Sequence, residues 1–295
     1  MATQTVPGKV NPKKIKKMKK FNPVYYLAAI AVTAVLLVLI LVGSIHASGF
    51  RYVKYEIGDM TVKFLGKVDS EGNYISGDLY FSDGSTAEYS YDVAAQKASI
   101  KYSGGDFYIG KTDMFLRHGE GRMEFSDGNI YVGNFDYDKI NGKGTFYYIG
   151  GDKYTGDFLD GVKHGNGLYE WPSNSEGKYD SYEGGYYKDL RNGNGTYKWA
   201  DGTVYTGEYV NDQKHGNGTM TFVNGDVYTG SFKNDLRTGE GTYNFANGDV
   251  YVGQFTENKM TGYGTYTWAS EDSSIKNYTG YFEDGVAVIV DENQN

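Results

Sequence analysis

The phrase Tyr-x-Gly begins at Tyr108, Tyr131, Tyr154, Tyr182, Tyr205, Tyr228, Tyr251 and Tyr278, and five of the seven steps between them are 23 residues. The two longer steps are insertions, PSNSEGKYDS after Trp171 and ASEDSSIKN after Trp268. A fixed period of this length means that each unit is one supersecondary element, burying its apolar face only against its neighbours. Four columns recur in each unit. The leading Tyr is followed by Gly two places on, then by an aromatic two further: Phe135, Phe158, Tyr186, Tyr209, Phe232, Phe255 and Phe282. The fourth column is a Gly-x-Gly pair with an aromatic four places on, as in Gly193-Asn194-Gly195 with Trp199 and Gly216-Asn217-Gly218 with Phe222.

Alternation within a unit has period two. Tyr205, Gly207 and Tyr209 share one face of a strand, with Thr206 and Glu208 on the other; Gly218, Met220 and Phe222 oppose Thr219 and Thr221. One apolar and one polar face mark a half-buried antiparallel sheet. Asp201-Gly202, Asn224-Gly225 and Asn247-Gly248 separate consecutive units, and these dipeptides predict two-residue hairpin loops there. Gly-x-Gly is expected to turn the longer loop at the other end. A mid-strand Gly weakens a strand, so its recurrence beside aromatics predicts a bare patch on which a ring lies. Phe64, Gly66, Val68, Gly77, Phe81 and Gly84 keep the same spacing. A further unit over 87–107 is two residues short and lacks the glycines.

Gly 42 and Tyr 30 against Pro 4 suit short strands, tight turns and aromatic packing. With no Cys, disulfides, thiolate nucleophiles and Cys-based zinc sites are excluded. Residues 1–50 hold seven Lys and no acid, leaving 22 basic against 37 acidic residues beyond them, a balance of −15.

The basic head contains Lys13, Lys14, Lys16, Lys17, Lys19 and Lys20, followed by an uncharged apolar run from Val24. The stretch to Ala47 predicts a membrane-spanning helix, because its 22 uncharged residues up to Ile45, at 1.5 Å each, match a hydrocarbon core of about 30 Å. The lysines then flank the membrane and place residues 1–23 in the cytoplasm, with the repeats outside it as a single-pass protein.

The columns Tyr-x-Gly-x-[Phe/Tyr], Gly-x-Gly, aromatic and Asp/Asn-Gly at a 23-residue interval resemble the MORN repeat (membrane occupation and recognition nexus) over about 108–285 and more weakly over 64–107. The resemblance implies stacked antiparallel β-hairpins in an elongated single-layer sheet with a shallow groove. The expected fold is therefore an all-β repeat array preceded by one transmembrane α-helix. The expected layout is a linker or capping strand at 48–63, degenerate repeats at 64–107, and the main array with a final half repeat and cap at 108–295.

Nothing points to catalysis. His118, His164 and His215 each precede a Gly-x-Gly. Repeat spacing sets the first two about 20 Å apart, against about 2 Å from ligand to ion in a zinc site. The stretch from Gly150 to Gly156 lacks the Lys-Ser/Thr of a phosphate loop. No calcium loop surrounds Asp136 and Asp138, and the acidic balance opposes nucleic-acid binding. The sequence implies neither an enzyme nor a cofactor.

The expected function is a membrane-anchored scaffold presenting an aromatic groove to a protein partner. Its candidate residues are Tyr131, Phe135, Tyr154, Phe158, Trp171, Tyr182, Trp199, Tyr205, Tyr209, Phe222, Tyr228, Phe232, Tyr251, Phe255 and Trp268. Tyr and Trp combine contact area with a polar handle. The alternatives are a glycan-binding surface module, through ring stacking on envelope polysaccharide, and a lipid-binding protein of the same family.

Overall fold

Alternation and turn chemistry together build a ladder of hairpins. The structure, a computed structural model, describes residues 33–37, 48–172, 179–269 and 276–288. The strands are β1 (Phe50–Ile57), β2 (Met60–Val68), β3 (Tyr74–Phe81), β4 (Thr86–Asp92), β5 (Lys97–Tyr102), β6 (Phe107–Asp113) and β7 (Leu116–Glu124). They continue as β8 (Ile130–Asp136), β9 (Lys139–Tyr147), β10 (Lys153–Leu159), β11 (Val162–Pro172), β12 (Tyr179–Tyr187), β13 (Leu190–Lys198) and β14 (Val204–Val210). The last are β15 (Gln213–Thr221), β16 (Val227–Lys233), β17 (Leu236–Asn244), β18 (Val250–Thr256), β19 (Lys259–Thr267), β20 (Asn277–Glu283) and β21 (Val286–Ala287). Each strand pairs with the next, and the ladders from β2 onward are antiparallel throughout.

The two kinds of turn stand opposite to the sequence expectation. The two-residue loops lie inside the unit, between its strands, as at Asn211-Asp212, where both residues are left-handed (φ 49° and 69°). Lys188-Asp189, Asn234-Asp235 and Glu257-Asn258 repeat this geometry. Asn-Gly and Asp-Gly instead close three-residue loops between units. Gly225 donates its N–H to Phe222 O at 2.9 Å, and Phe222 N–H donates to Asp226 O at 2.8 Å. Only Gly225 of that loop is left-handed, the arrangement of a type I turn closed by a glycine bulge. Nor does Gly-x-Gly sit in a loop. Gly216 (φ 55°) makes a bulge inside β15, where the register jumps from Gly207↔Gly218 to Glu208↔His215. The extra residues on one strand bend it and sharpen its twist.

Among the described residues, no helix is long and apolar enough to cross a membrane. This overturns the spanning helix drawn at Val24–Ala47, and with it the membrane anchor, the cytoplasmic N-terminus and the placing of the repeats outside the cell. Helix is described there at residues 33–37. The rest of that stretch and the six flanking lysines lie outside the described residues. The all-β repeat array stands without its helix.

The chain divides into residues 1–51 and residues 52–295. Within the second unit the sheet has one ring-bearing face and one polar face. Thr145 and Thr155, Thr196 and Thr206, and Thr219 and Thr229 meet on the polar face through hydroxyls 3.1–3.2 Å apart.

Candidate functional site: two aromatic rows

Seven leading tyrosines, from Tyr108 to Tyr251, have no exposed surface. Each ring lies flat along its strand over two facing glycines. Tyr205 covers Gly207 and its partner Gly218, where an added Cβ would meet the ring at 2.6–2.7 Å. The phenol then reaches past the bulge and donates to the carbonyl three residues on: Tyr205 to Glu208 O and Tyr228 to Ser231 O, both at 3.0 Å. Burial without that acceptor would cost about 1–3 kcal/mol per hydroxyl. Burial also pushes the phenol pKa up, to about 12 at Tyr131, Tyr182 and Tyr228.

The third-column rings interleave with these. Tyr205 meets Tyr209 of its own unit and Phe232 of the next edge-to-face, with centroids 5.3 and 5.0 Å apart and planes at 88° and 82°. The pattern runs from Tyr108 through Phe135 to Tyr278 and Phe282. Edge-to-face pairs bring about 0.5–1.5 kcal/mol each beyond the area they bury. Tyr131, Tyr154, Tyr182, Tyr205, Tyr228 and Tyr251, with Phe135, Phe158, Tyr209, Phe232 and Phe255, are therefore sealed inside this row.

The second row differs in exposure. Trp171, Trp199 and Phe222 are half-buried, and Trp268 is 37% exposed. The rings meet across units: Tyr148 stacks on Tyr169 and Trp171 on Tyr197 (5.5 Å, 28°), and Phe245 tilts against Tyr266 (44°). Met220 occupies the aromatic place between Trp199 and Phe222. Tyr169, Tyr197, Tyr243 and Tyr266 each donate a hydroxyl to a carboxylate 17 residues earlier, as Tyr243 does to Asp226 at 2.7 Å.

A column of cations between the rows was missed by the sequence reading. Arg117, Lys163, Arg191, Lys214 and Arg237 sit 4.9–5.8 Å from ring centroids of both rows. Each meets the second turn residue of the following unit. Asp212 accepts the Arg191 N–H at 2.9 Å and its Nε at 3.0 Å, and returns its own N–H to Arg191 O at 3.0 Å. The second turn residue thus needs both a tolerated left-handed backbone and a side-chain acceptor, which Asp and Asn supply. Burial pulls the Lys163 and Lys214 pKa values below the usual lysine range. The available signal was the basic residue standing 21 positions before an Asp or Asn, or 26 across the insertion.

The histidines fill loop-side positions. His118 packs on Tyr137 with Nδ1 3.4 Å from Asp136, and His164 packs on Tyr187. No cluster among the described residues could hold a metal ion.

The arrangement defines a class: a single-sheet β-hairpin repeat protein whose units are joined by aromatic rows. The MORN repeat profile matches residues 116–130, 131–153, 154–176, 182–204, 205–227, 228–250 and 251–273, just over half of the chain. The chain belongs to the MORN-repeat family. No curated protein sequence matches it. The solved structures similar to it include the TCP domain of Drosophila melanogaster SAS-4 (dCPAP) in complex with a proline-rich motif of Ana2 (dSTIL). That domain is 12% identical, with 57% of this chain and 90% of that one covered and a TM-score of 0.38. Another is the Danio rerio CPAP TCP10 domain with a STIL peptide, 11% identical, covering 74% of this chain and 89% of that one, with a TM-score of 0.40. Likenesses at this level carry no argument about this chain.

Proposed function

We propose that the chain is a non-catalytic scaffold that holds a protein partner along its second aromatic row. One observation carries the reading: this row leaves ring surface in water, whereas the leading tyrosines from Tyr108 to Tyr251 leave none. A partner placed over Trp171, Trp199 and Phe222 covers half-buried rings already held by contacts to Tyr197 and Tyr243, so little side-chain freedom is lost on binding. Large rigid rings of this kind dominate binding energy where they occur at interfaces. The balance of −15 beyond residue 50 favours a partner with a basic docking surface.

The test uses full-length chain carrying a photo-crosslinking residue at Phe222, or at Tyr147 on the polar face. The captured protein, purified, should bind the unmodified chain directly. Trp199→Ala should weaken that binding at least about tenfold, as for a buried aromatic anchor, whereas Tyr147→Ser leaves it unchanged. Capture only from position 147, or an equal loss with Tyr147→Ser, sinks the reading.

A further inference from the structure

The polar face carries a second feature, unrelated to the rings. A trough of about 1110 Å3 crosses β5 to β12. Its floor is the bare backbone of paired glycines, Gly110 with Gly121, Gly133 with Gly144 and Gly156 with Gly167. Four positions per unit flank the glycine pair on this face. In the units that begin at Tyr108 and Tyr131 these positions hold Lys111, Arg122 and Lys143 against one acid, Glu120, and Lys97 borders the same end. In every later unit the same positions contain no basic residue and bring in Asp157, Glu183, Glu208 and Glu240. A basic patch thus opens one end of a face that turns acidic along its length.

Arg122 already donates two bonds to Glu124, at 2.8 and 3.0 Å; the lysines are available. Lys143 reaches Asp157 at 2.9 Å, yet its side chain stays 82% exposed, and such a bridge contributes little. Lys97 and Lys111 are exposed. Ile109 and Val132, also exposed, give the trough an apolar strip between the charges.

We propose that this end of the trough takes an extended acidic segment of a partner protein. Its carboxylates meet Lys97, Lys111 and Lys143, and an apolar side chain lies on Ile109 and Val132. Four strand spacings separate β5 from β9, about 19 Å, a distance that about six extended residues cover. An anionic bilayer fits less well. The glycine floor is recessed from a flat surface, and the acids that continue the same face would meet its headgroups. The site faces away from the aromatic rows and stands or falls independently of them.

The chain has no Cys, so a single Val132→Cys labelled with an environment-sensitive dye reports on the trough alone. Val210→Cys, on the same face outside the trough, is the control. The probe is a short peptide of alternating Glu and Leu, with its Lys/Leu counterpart beside it. The Glu/Leu peptide should shift the dye at position 132 and not at 210. Lys97→Glu, Lys111→Glu and Lys143→Glu together should weaken that response about tenfold or more, through reversed charge. Lys198→Glu with Lys233→Glu, outside the trough, should leave it unchanged. A silent dye at 132, an equal response to the Lys/Leu peptide, or an equal loss in the outside variant overturns the proposal. So does a response at 132 to phosphatidylserine vesicles with none to the peptide, which assigns the lysines to a membrane surface.

Discussion

Gly218→Ala tests the central packing device at one atom. Gly218 lies in the regular part of β15, outside the left-handed region, so an added methyl costs nothing in backbone conformation. Its whole cost comes from the Tyr205 ring 2.6–2.7 Å away. The ring cannot move outward alone, because its hydroxyl is tied to Glu208 O and its edges meet Tyr209 and Phe232. Overpacking costs about 1–3 kcal/mol, and part of two aromatic pairs and one hydrogen bond goes with it. The expected loss is about 3–5 kcal/mol by these magnitudes. Gly202→Ala is the contrast: its φ is 99°, and nothing lies within 4 Å of the added Cβ, so it should cost only the left-handed penalty of about 1–2 kcal/mol. Repeat arrays can unfold in pieces. The assay is therefore hydrogen exchange of the β14–β17 amides, alongside urea unfolding followed by tryptophan fluorescence. In a Tyr205→Ala background the methyl enters vacated space, and its cost should largely vanish. If Gly218→Ala is as harmful without the ring as with it, or no worse than Gly202→Ala, the ring-on-glycine account is wrong.

Alkali should open the array cooperatively. Tyrosine in an unfolded chain ionises near pH 10, whereas burial holds Tyr131, Tyr182 and Tyr228 protonated up to about 12. The folded form keeps these protons longer, so their contribution is complete below about pH 10 and is lost between there and about pH 12. Tyrosinate absorbance of the buried class should rise together with loss of the sheet signal, and titration of all the tyrosines near pH 10 with the sheet intact would contradict this. Phe115 sits left-handed (φ 68°) in a turn where later units have Asp, Asn or Gly, and its ring packs against Tyr55, Phe64, Tyr74 and Tyr89. Phe115→Asn should cost about 3–5 kcal/mol as a vacated core site, with faster hydrogen exchange in β1–β7 and none of it beyond β12. Arg191→Met keeps the apolar stem but removes the guanidinium between Tyr182, Tyr197 and Tyr209 and its bond to Asp212. With Asp212 42% exposed, the loss should be only about 1–2 kcal/mol in urea unfolding.

The hairpin ladder was legible because a 23-residue period and strict alternation leave few other ways to bury one face. Ring-on-glycine packing was legible too, since Gly recurring in mid-strand beside an aromatic marks a place where something lies close on the backbone. Turn identity was not. Asn224-Gly225 has the composition of a two-residue turn, yet Asp226 extends the loop by pairing back to Phe222, while five of the true two-residue turns carry Asp or Asn at their second position, bonded to the preceding unit's backbone. A local propensity cannot show a demand made 21 residues away. Exposure was equally hidden. Tyr205 and Phe222 both stand on the apolar face, but only Tyr205 is covered from both sides by third-column rings.

Both long insertions, at 172–181 and 269–277, enter at the between-unit connection. The within-unit turn keeps two residues in all eight hairpins from β6 onward. One margin of the ribbon is therefore a hem that can be let out, and the other is a selvedge woven shut. Foreign segments spliced at the hem should leave the stitching untouched, and an added residue at the selvedge would unpick the clasp to the preceding unit.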